Sequence, residues 1–185
     1  VAVVTVVVTT AATATVSFVL ARVEFRWNRL IYYFVIAGMM IPIHAAVIPL
    51  YITAMGLKMQ NNLFFLGMIY GAFRIPISVL IVESFMLTIP KELEECAIID
   101  GCSYYRIFLK IILPLSTPSL AIAFLFNFTQ AWNDFLLARI ILARPEMATW
   151  PLGLQRMQNL FRTEWGAFSA GSLLVSVPVM ILFFA

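Results

Sequence analysis

The residues of this chain with the most chemical potential lie between Pro90 and Pro114, in a charged segment flanked by long apolar runs. Glu92, Glu94 and Glu95 begin it, at a spacing that places them near the positive end of a helix dipole, which stabilises carboxylates. Gly101 then supplies the left-handed residue that commonly ends a helix. The pattern predicts a helical hairpin that faces water and can meet a soluble partner.

The two predicted helices of this hairpin have capping residues and a packing face. Thr88 is expected to cap the first helix and Ser103 the second, because each hydroxyl can accept a bond from a free backbone N–H group. Ile107, Phe108 and Ile111 recur at helical spacing on the second helix and should be buried. The alternative is an amphipathic surface hairpin that transmits nothing to a partner.

The same residues do not suggest catalysis or metal binding. The hairpin carboxylates have no paired base nearby in the sequence, which argues against a membrane-embedded enzyme. Cys96 and Cys102 lie in the hairpin, but the single histidine, His44, lies in another segment, so no Cys/His ligand cluster is predicted. The cysteines are expected to be reduced packing residues. No phosphate-binding glycine loop or hydrolase motif is present, so any nucleotide would be bound by a partner.

The elements that must position the hairpin are membrane spans. Of the 185 residues, 63% are hydrophobic and 11% charged, which is more apolar surface than a soluble domain of this size can bury. Five nearly uncharged runs each approach the ~20 residues that cross a hydrocarbon core as a helix. They lack the alternation of barrel strands, so an all-α, polytopic transmembrane helix bundle is predicted. The runs are residues 1–21, 30–52, 63–82, 111–133 and 166–185.

The hairpin also carries a family resemblance. Glu95, Cys96 and Ala97 are followed after three residues by Gly101 and after nine more by residues 111–114, the spacing of the EAA loop (E-A-A, x3, G, x9, I-x-L-P). The chain therefore resembles type I importer permeases of the ATP-binding-cassette class. Cys96 replaces an alanine of that pattern, one small residue for another. The resemblance implies a cytoplasmic coupling loop at about residues 88–110, with coupling residues Glu95, Cys96, Ala97, Asp100, Gly101, Leu113 and Pro114.

Further segments resemble successive landmarks of carbohydrate importer permeases, and most closely the smaller permease subunit of the maltose system. They are residues 18–27, 40–51, 89–101, 131–136 and 149–154. The resemblance implies a single permease domain over residues 1–185, shortened at both ends relative to a six-span family. It implies a subunit of the bacterial inner membrane that imports a sugar or oligosaccharide by alternating access. A permease for another small solute, such as glycerol phosphate or a polyamine, is the alternative.

The resemblance also implies the partners of the chain. These are a second permease subunit forming a heterodimer, two ATPase subunits that bind ATP and Mg, an extracytoplasmic sugar-binding protein, and membrane lipid. No cofactor or metal is expected on this chain itself. Its basic residues are scattered among the connections, so no nucleic-acid surface is predicted. A passive channel would need symmetric copies of the chain to form a filter, and no segment suggests one.

Charge alone does not orient the predicted spans. Lys and Arg divide six to five between the two sides, too evenly for the positive-inside rule. The resemblance places the loop at Glu95 in the cytoplasm, and residues 22–29 must then lie on the same side. Residues 55–62 and 140–165 are expected on the outer side, where the second of these segments should reach toward the binding protein.

Polar residues of the fourth predicted span are candidates for a substrate path, because such groups are costly in a membrane and usually face the bundle or water. Asn127, Gln130 and Asp134 recur at helical spacing. Trp132 and Asn133 lie nearby, and sugars bind to amides and aromatic rings together. Hydrogen bonding between helices is the alternative role for these groups.

Two ionisable residues lie deep in other predicted spans. His44, in the second, is interpreted either as a pathway residue or as a polar group that packs helices together. Arg74, in the third, is expected to be paired with another group or to extend its charge toward the membrane surface.

Overall fold

The structure is a computed structural model that describes residues 1–157 and 165–184, and its regular structure in these ranges is entirely helical. A 3-10 turn, Gly38–Met40, follows the second helix, and another, Pro145–Met147, follows the ninth. A π-helical turn, Phe108–Ile112, joins the sixth to the seventh. The helices are α1 (Ala2–Arg22), α2 (Asn28–Ala37), α3 (Val47–Gly56), α4 (Leu63–Met86), α5 (Glu92–Ile99), α6 (Tyr104–Ile107), α7 (Leu113–Leu115), α8 (Thr117–Asn133), α9 (Leu136–Ile141), α10 (Trp150–Met157) and α11 (Trp165–Phe184). The predicted all-α class is confirmed.

Three of the five predicted spans are unbroken helices that are long and apolar enough to cross a membrane. These are α1, α4 and α11, with 21, 24 and 20 residues. The fourth predicted run is interrupted, since the helical path through α7 turns by 71° where α8 begins. Pro114 and Pro118 flank this bend, and neither can donate the backbone hydrogen bond that a continuous helix requires.

The predicted run over residues 30–52 is not one continuous helix. The chain there forms α2 and α3, and residues 41–46 between them are not helical. Pro42 explains the interruption, because proline disfavours the helical conformation of the residue before it. Ile41 is accordingly extended, with φ −88° and ψ 104°. His44 therefore lies in a break between two helices.

The helices α1 and α4 pack against each other and run parallel. The Thr5 hydroxyl donates to the Gly67 carbonyl at 3.1 Å, and the Ser17 hydroxyl donates to the Val79 carbonyl at 3.4 Å, each across 62 residues of sequence. A constant separation means that both helices advance in the same direction. A Cβ atom on Gly67 would lie 2.8 Å from the Cβ of Val4, so only glycine allows this approach.

The helix α8 returns antiparallel to α4, since Asn127 pairs with Ser78 and Gln130 with Arg74. Apolar clusters close the two ends of the bundle, and these polar pairs lie between them. One cluster includes Leu66, Leu137 and Ile141, and the other, at the hairpin end, includes Met86, Ile107 and Ile112. The bundle is therefore apolar near both ends and polar in between.

The connections sort to the two ends as the resemblance implied. Arg22, at the end of α1, contacts the segment that enters the hairpin. At the opposite end, the Asn61 N–H donates to the Ile141 carbonyl at 3.0 Å, and the Asn61 side chain accepts from Arg144 N at 2.8 Å. Residues 55–62 thus contact the start of the 140–165 segment, of which residues 158–164 lie outside the described part of the chain.

Candidate functional site

The hairpin formed by α5 and α6 has the predicted turn. Gly101 has φ 80°, a conformation that favours glycine, and the Cys102 N–H donates to the Ala97 carbonyl at 2.9 Å. Among the described residues, nothing lies within 4 Å of a Cβ atom built on Gly101. The turn is therefore open to an approaching partner, and glycine is required there by the backbone rather than by packing.

The capping residues behave differently from each other. Thr88 does not cap α5, because its hydroxyl donates to the Phe85 carbonyl at 2.7 Å and closes the end of α4 instead. Pro90 follows, and α5 begins only at Glu92. Ser103 does occupy the N-cap position of α6, although its side chain makes no capping hydrogen bond.

One face of the hairpin is open and the other packs on the bundle. Glu95, Cys96 and Asp100 are exposed, whereas Ala97 is buried in the hairpin-end cluster with Ile107. The small side chain of Ala97 therefore serves packing against the bundle. Of the other predicted coupling residues, Leu113 is half-buried and Pro114 is exposed.

Arg22, the last residue of α1, lies beneath the hairpin and was not singled out from the sequence. Its Nε atom is 2.9 Å from Oε1 of Glu94, and the two side chains are only 1% and 10% exposed. Its Nη2 atom donates to the carbonyls of Met86 and Ile89, at 2.7 Å each. A single guanidinium thus joins α1, the end of α4 and the hairpin. We call these groups the Arg22 brace.

Opposing electrostatic effects act within the Arg22 brace. Burial raises the pKa of the Glu94 carboxyl, while the charges of Arg22 and Lys91 act to lower it, and the net direction is upward. Lys91 is itself 3.6 Å from Glu24, but both are well exposed, so that pair contributes little to stability. The guanidinium, with two buried carbonyl acceptors and one buried carboxylate in ion-pair contact, is therefore the dominant element of the brace.

A second candidate site is a cavity of about 310 Å³ between the α2–α3 interruption, α4 and the end of α8. The volume falls at the lower end of the ~300–1,000 Å³ typical of small-molecule sites. A neighbouring cavity of about 460 Å³ shares four of its lining residues, Ile43, His44, Arg74 and Gln130. We call the smaller space the polar cavity, and it is lined by Ile43, His44, Tyr70, Arg74, Gln130, Asn133, Asp134, Phe135 and Leu136.

The polar cavity brings together the predicted pathway residues His44, Gln130 and Asn133, with Asp134 from the same end of α8. It adds two groups from α4, and one of these, the Arg74 guanidinium, donates to Gln130 Oε1 at 3.1 Å. The expectation that Arg74 is paired holds, with Gln130 as its partner. The sequence shows a charged side chain, Arg74, in one predicted span and an amide, Gln130, in another. It does not show that these two helices are neighbours.

The other two predicted pathway residues lie elsewhere. Asn127 is 1% exposed, and its Nδ2 donates to the Ser78 hydroxyl at 2.8 Å, a bond between α8 and α4. Trp132 stacks on Phe128 and donates through Nε1 to the Val175 carbonyl at 3.0 Å. Two residues turn a helix by about 200°, which is why Trp132 faces α11 while Gln130 faces the polar cavity.

Comparisons with known proteins agree with this architecture. Residues 13–185 match the family described as binding-protein-dependent transport system inner membrane component. A crystal structure of a bacterial ABC transporter involved in the import of the acidic polysaccharide alginate is similar in fold, with a TM-score of 0.69 and 21% identity over 97% of this chain and 70% of that one.

Curated relatives carry the names of sugar transport systems. The diacetylchitobiose uptake system permease protein DasC of Streptomyces coelicolor is 36% identical, over 90% of this chain and 60% of the relative. The galactooligosaccharides transport system permease protein GanQ of Bacillus subtilis is 40% identical, over 78% of this chain and 51% of the relative. The maltodextrin transport system permease protein MdxG of the same organism is 35% identical, over 86% and 57%. The chain thus spans between about half and three fifths of the length of these relatives.

Proposed function

Because the chain belongs to the family of binding-protein-dependent transport system inner membrane components, we propose that it is the membrane-spanning permease subunit of an ATP-driven importer. Membership confirms the resemblance drawn from the EAA-loop spacing and the prediction of a multi-pass membrane protein. In this proposal the chain performs no chemistry on its substrate. Partner ATPase subunits bind ATP and Mg, and their movement drives alternating access.

The hairpin is the observation that carries the proposal. It presents an exposed carboxylate, Glu95, beside a turn at Gly101 that no other described side chain covers. Its opposite face is fixed to the bundle by Ala97 and by the Arg22 brace. A rigid base with an open polar face suits a surface that receives movement from a soluble subunit. Glu95 would accept a charge-assisted hydrogen bond from a basic residue of the ATPase.

We propose a sugar or oligosaccharide as the substrate. The names of the three relatives support a carbohydrate, and the polar cavity supplies the amides and aromatic rings that sugars bind. A permease for glycerol phosphate or a polyamine remains the alternative, and it would need a cavity that compensates a net charge on the solute.

The partners follow from the same proposal. The ATPases would dock at the hairpin end, and an extracytoplasmic sugar-binding protein would dock at the opposite end. A second permease subunit would complete a heterodimer. In support, α11 is strongly apolar but has no buried residue among those described, so most of its surface requires lipid or another helix.

The experiment that tests this function is purification of the chain with its partner subunits and measurement of ATPase and uptake in proteoliposomes. Gly101→Asp should abolish uptake while membrane insertion persists, because φ 80° strains a side chain there and a charge would enter the docking turn. Gly56→Asp is the matched control, since its site is equally open among the described residues and not left-handed. A Gly101→Asp complex that hydrolyses ATP in step with uptake would show that the hairpin does not couple the two.

A further inference from the structure

Two side chains of opposite charge, Arg74 and Asp134, line the polar cavity. Charged groups within a membrane bundle are costly, and they usually mark a functional site when they face a cavity. Transport of a solute does not by itself require such a pair. Together the two residues contribute no net charge to the space that they share.

Both charged groups are held in place by local contacts. The Arg74 guanidinium has five N–H donors, and its bond to Gln130 at 3.1 Å directs it toward α8. Asp134 directly follows α8, and its Oδ1 accepts a long hydrogen bond of 3.4 Å from the Leu137 N–H. These bonds leave further donors on Arg74 and further acceptor sites on Asp134. The polar cavity thus keeps free hydrogen-bond donors and free hydrogen-bond acceptor sites for a ligand.

The remaining lining groups fit a ligand that carries many hydroxyls. A hydroxyl donates and accepts, so neighbouring hydroxyls can bond to a carboxylate, a guanidinium and the amides of Gln130 and Asn133. The rings of Tyr70 and Phe135 offer apolar surface to the C–H faces of a sugar. This combination of donors, acceptors and rings favours a polyhydroxylated ligand over an apolar one.

Charge compensation then discriminates among polar ligands. An anionic ligand would gain attraction from Arg74 but would be repelled by Asp134, and it would still lose its hydration. A cationic ligand would be attracted by Asp134 and repelled by Arg74, and it would also lose its hydration. An uncharged ligand avoids both costs and can use both side chains as hydrogen-bonding groups.

We propose that Arg74 and Asp134 together determine the specificity of the polar cavity, which accepts uncharged polyhydroxylated ligands and rejects acidic and basic ligands of similar size. The inference rests on the proposed function, because it assigns the cavity to the substrate path. It extends that function by giving Arg74 and Asp134 a joint role and by naming the charge class of ligand that they select.

The test uses the assembled transporter with its partner subunits, carrying Cys96→Ala and Cys102→Ser to remove the native thiols. Asn133→Cys then places one thiol on the cavity wall, and its rate of modification by a neutral thiosulfonate is measured. Glucose, glucuronate and glucosamine are compared as protecting ligands at equal concentration, since they are similar in size and differ in charge. Glucose should slow modification roughly tenfold more than either of the other two sugars. A tenfold difference corresponds to a binding preference of about 1.4 kcal/mol.

Single neutralisations should redirect this preference. Asp134→Asn leaves Arg74 uncompensated, so glucuronate should become the best protecting ligand. Arg74→Gln should favour glucosamine in the same way. The variant with both substitutions restores neutrality and should again prefer glucose, which also shows that the substitutions preserve the fold.

Several results would overturn the inference. They are equal protection by all three sugars, protection by none, or an unchanged preference in both single variants. ATPase activity of the cysteine-substituted complex is measured in parallel. If the chain does not assemble with an active ATPase, the proposed function fails and the inference fails with it. If an active complex lacks the charge preference, the inference alone is wrong.

Discussion

Replacing Arg22 by methionine should detach the hairpin from the bundle while leaving the spans inserted. The change removes two buried hydrogen bonds, to the carbonyls of Met86 and Ile89, and the ion pair with Glu94. Methionine keeps most of the side-chain volume, so the loss is mainly polar. Every acceptor left behind is buried and must be hydrated or remain unsatisfied.

The magnitude follows from the burial of the brace. Removing one partner of a buried ion pair typically costs about 3–5 kcal/mol, because the other charge stays buried without compensation. Glu94 can relieve part of this cost by binding a proton, since burial already raises the pKa of its carboxyl. We therefore expect about 3 kcal/mol, which raises the detached population about a hundredfold.

Glu94→Gln should cost less than Arg22→Met. Glutamine keeps the volume and an acceptor for the guanidinium, and it removes a charge that burial disfavours. We expect about 1–2 kcal/mol, because Arg22 loses its countercharge but keeps its two buried carbonyl acceptors. Adding Glu94→Gln to Arg22→Met should recover part of the loss, because no uncompensated carboxylate then remains. Such non-additivity is the signature of direct coupling between neighbouring residues.

The assay is hydrogen exchange of the α5 amides in the assembled transporter, combined with the ratio of solute imported to ATP hydrolysed. Arg22→Met should speed exchange in α5 and lower this ratio. Arg29→Met, which removes an exposed positive charge from the start of α2, is the matched control and should change neither quantity. Unchanged α5 exchange in Arg22→Met, or an equal effect from Glu94→Gln, would refute the reasoning.

The brace also predicts a pH dependence of the same exchange. Because burial raises the pKa of the Glu94 carboxyl, the proton-bound form is favoured in the folded hairpin. The resulting stability is fully present below the ordinary value of 4.5 and is lost as the pH rises through the raised pKa. Arg22→Met removes the opposing attraction, so α5 protection should fall more steeply over this range than in the parent. Equal slopes in the two proteins would contradict the assignment of Arg22 as the compensating charge.

Two further predictions concern the helix contacts. Gly67→Leu should lower the melting temperature of the complex, because a Cβ atom at this position would lie 2.8 Å from Val4 of α1. Gly56→Leu is the control and should not lower it, since no described atom lies within 4 Å of a Cβ atom at that site. Asn127→Leu should lower stability by about 1–3 kcal/mol and leave substrate affinity unchanged, since its amide bonds to Ser78 between helices, and Ser78→Ala should add little to that loss. Weaker affinity at unchanged stability would instead return Asn127 to the substrate path.

The sequence was sufficient where the signal is local. Uncharged runs of about 20 residues indicate membrane helices, because backbone polar groups must be satisfied within the segment in lipid. The turn at Gly101 was predictable for a similar reason, since only the conformation of that residue is involved. The break after Ile41 is local as well, since Pro42 disfavours the helical conformation of the residue before it.

The tertiary structure decided which polar groups meet. Arg22 and Glu94 belong to different elements, as do Arg74 and Gln130, and no periodicity within either element reveals its neighbour. The orientation of α8 about its own axis decided which of its side chains line the polar cavity. In this orientation Trp132 faces α11 and points away from the polar cavity. A sequence lists the groups that a membrane cannot leave unsatisfied, but the packing of distant helices determines the partner that satisfies each one.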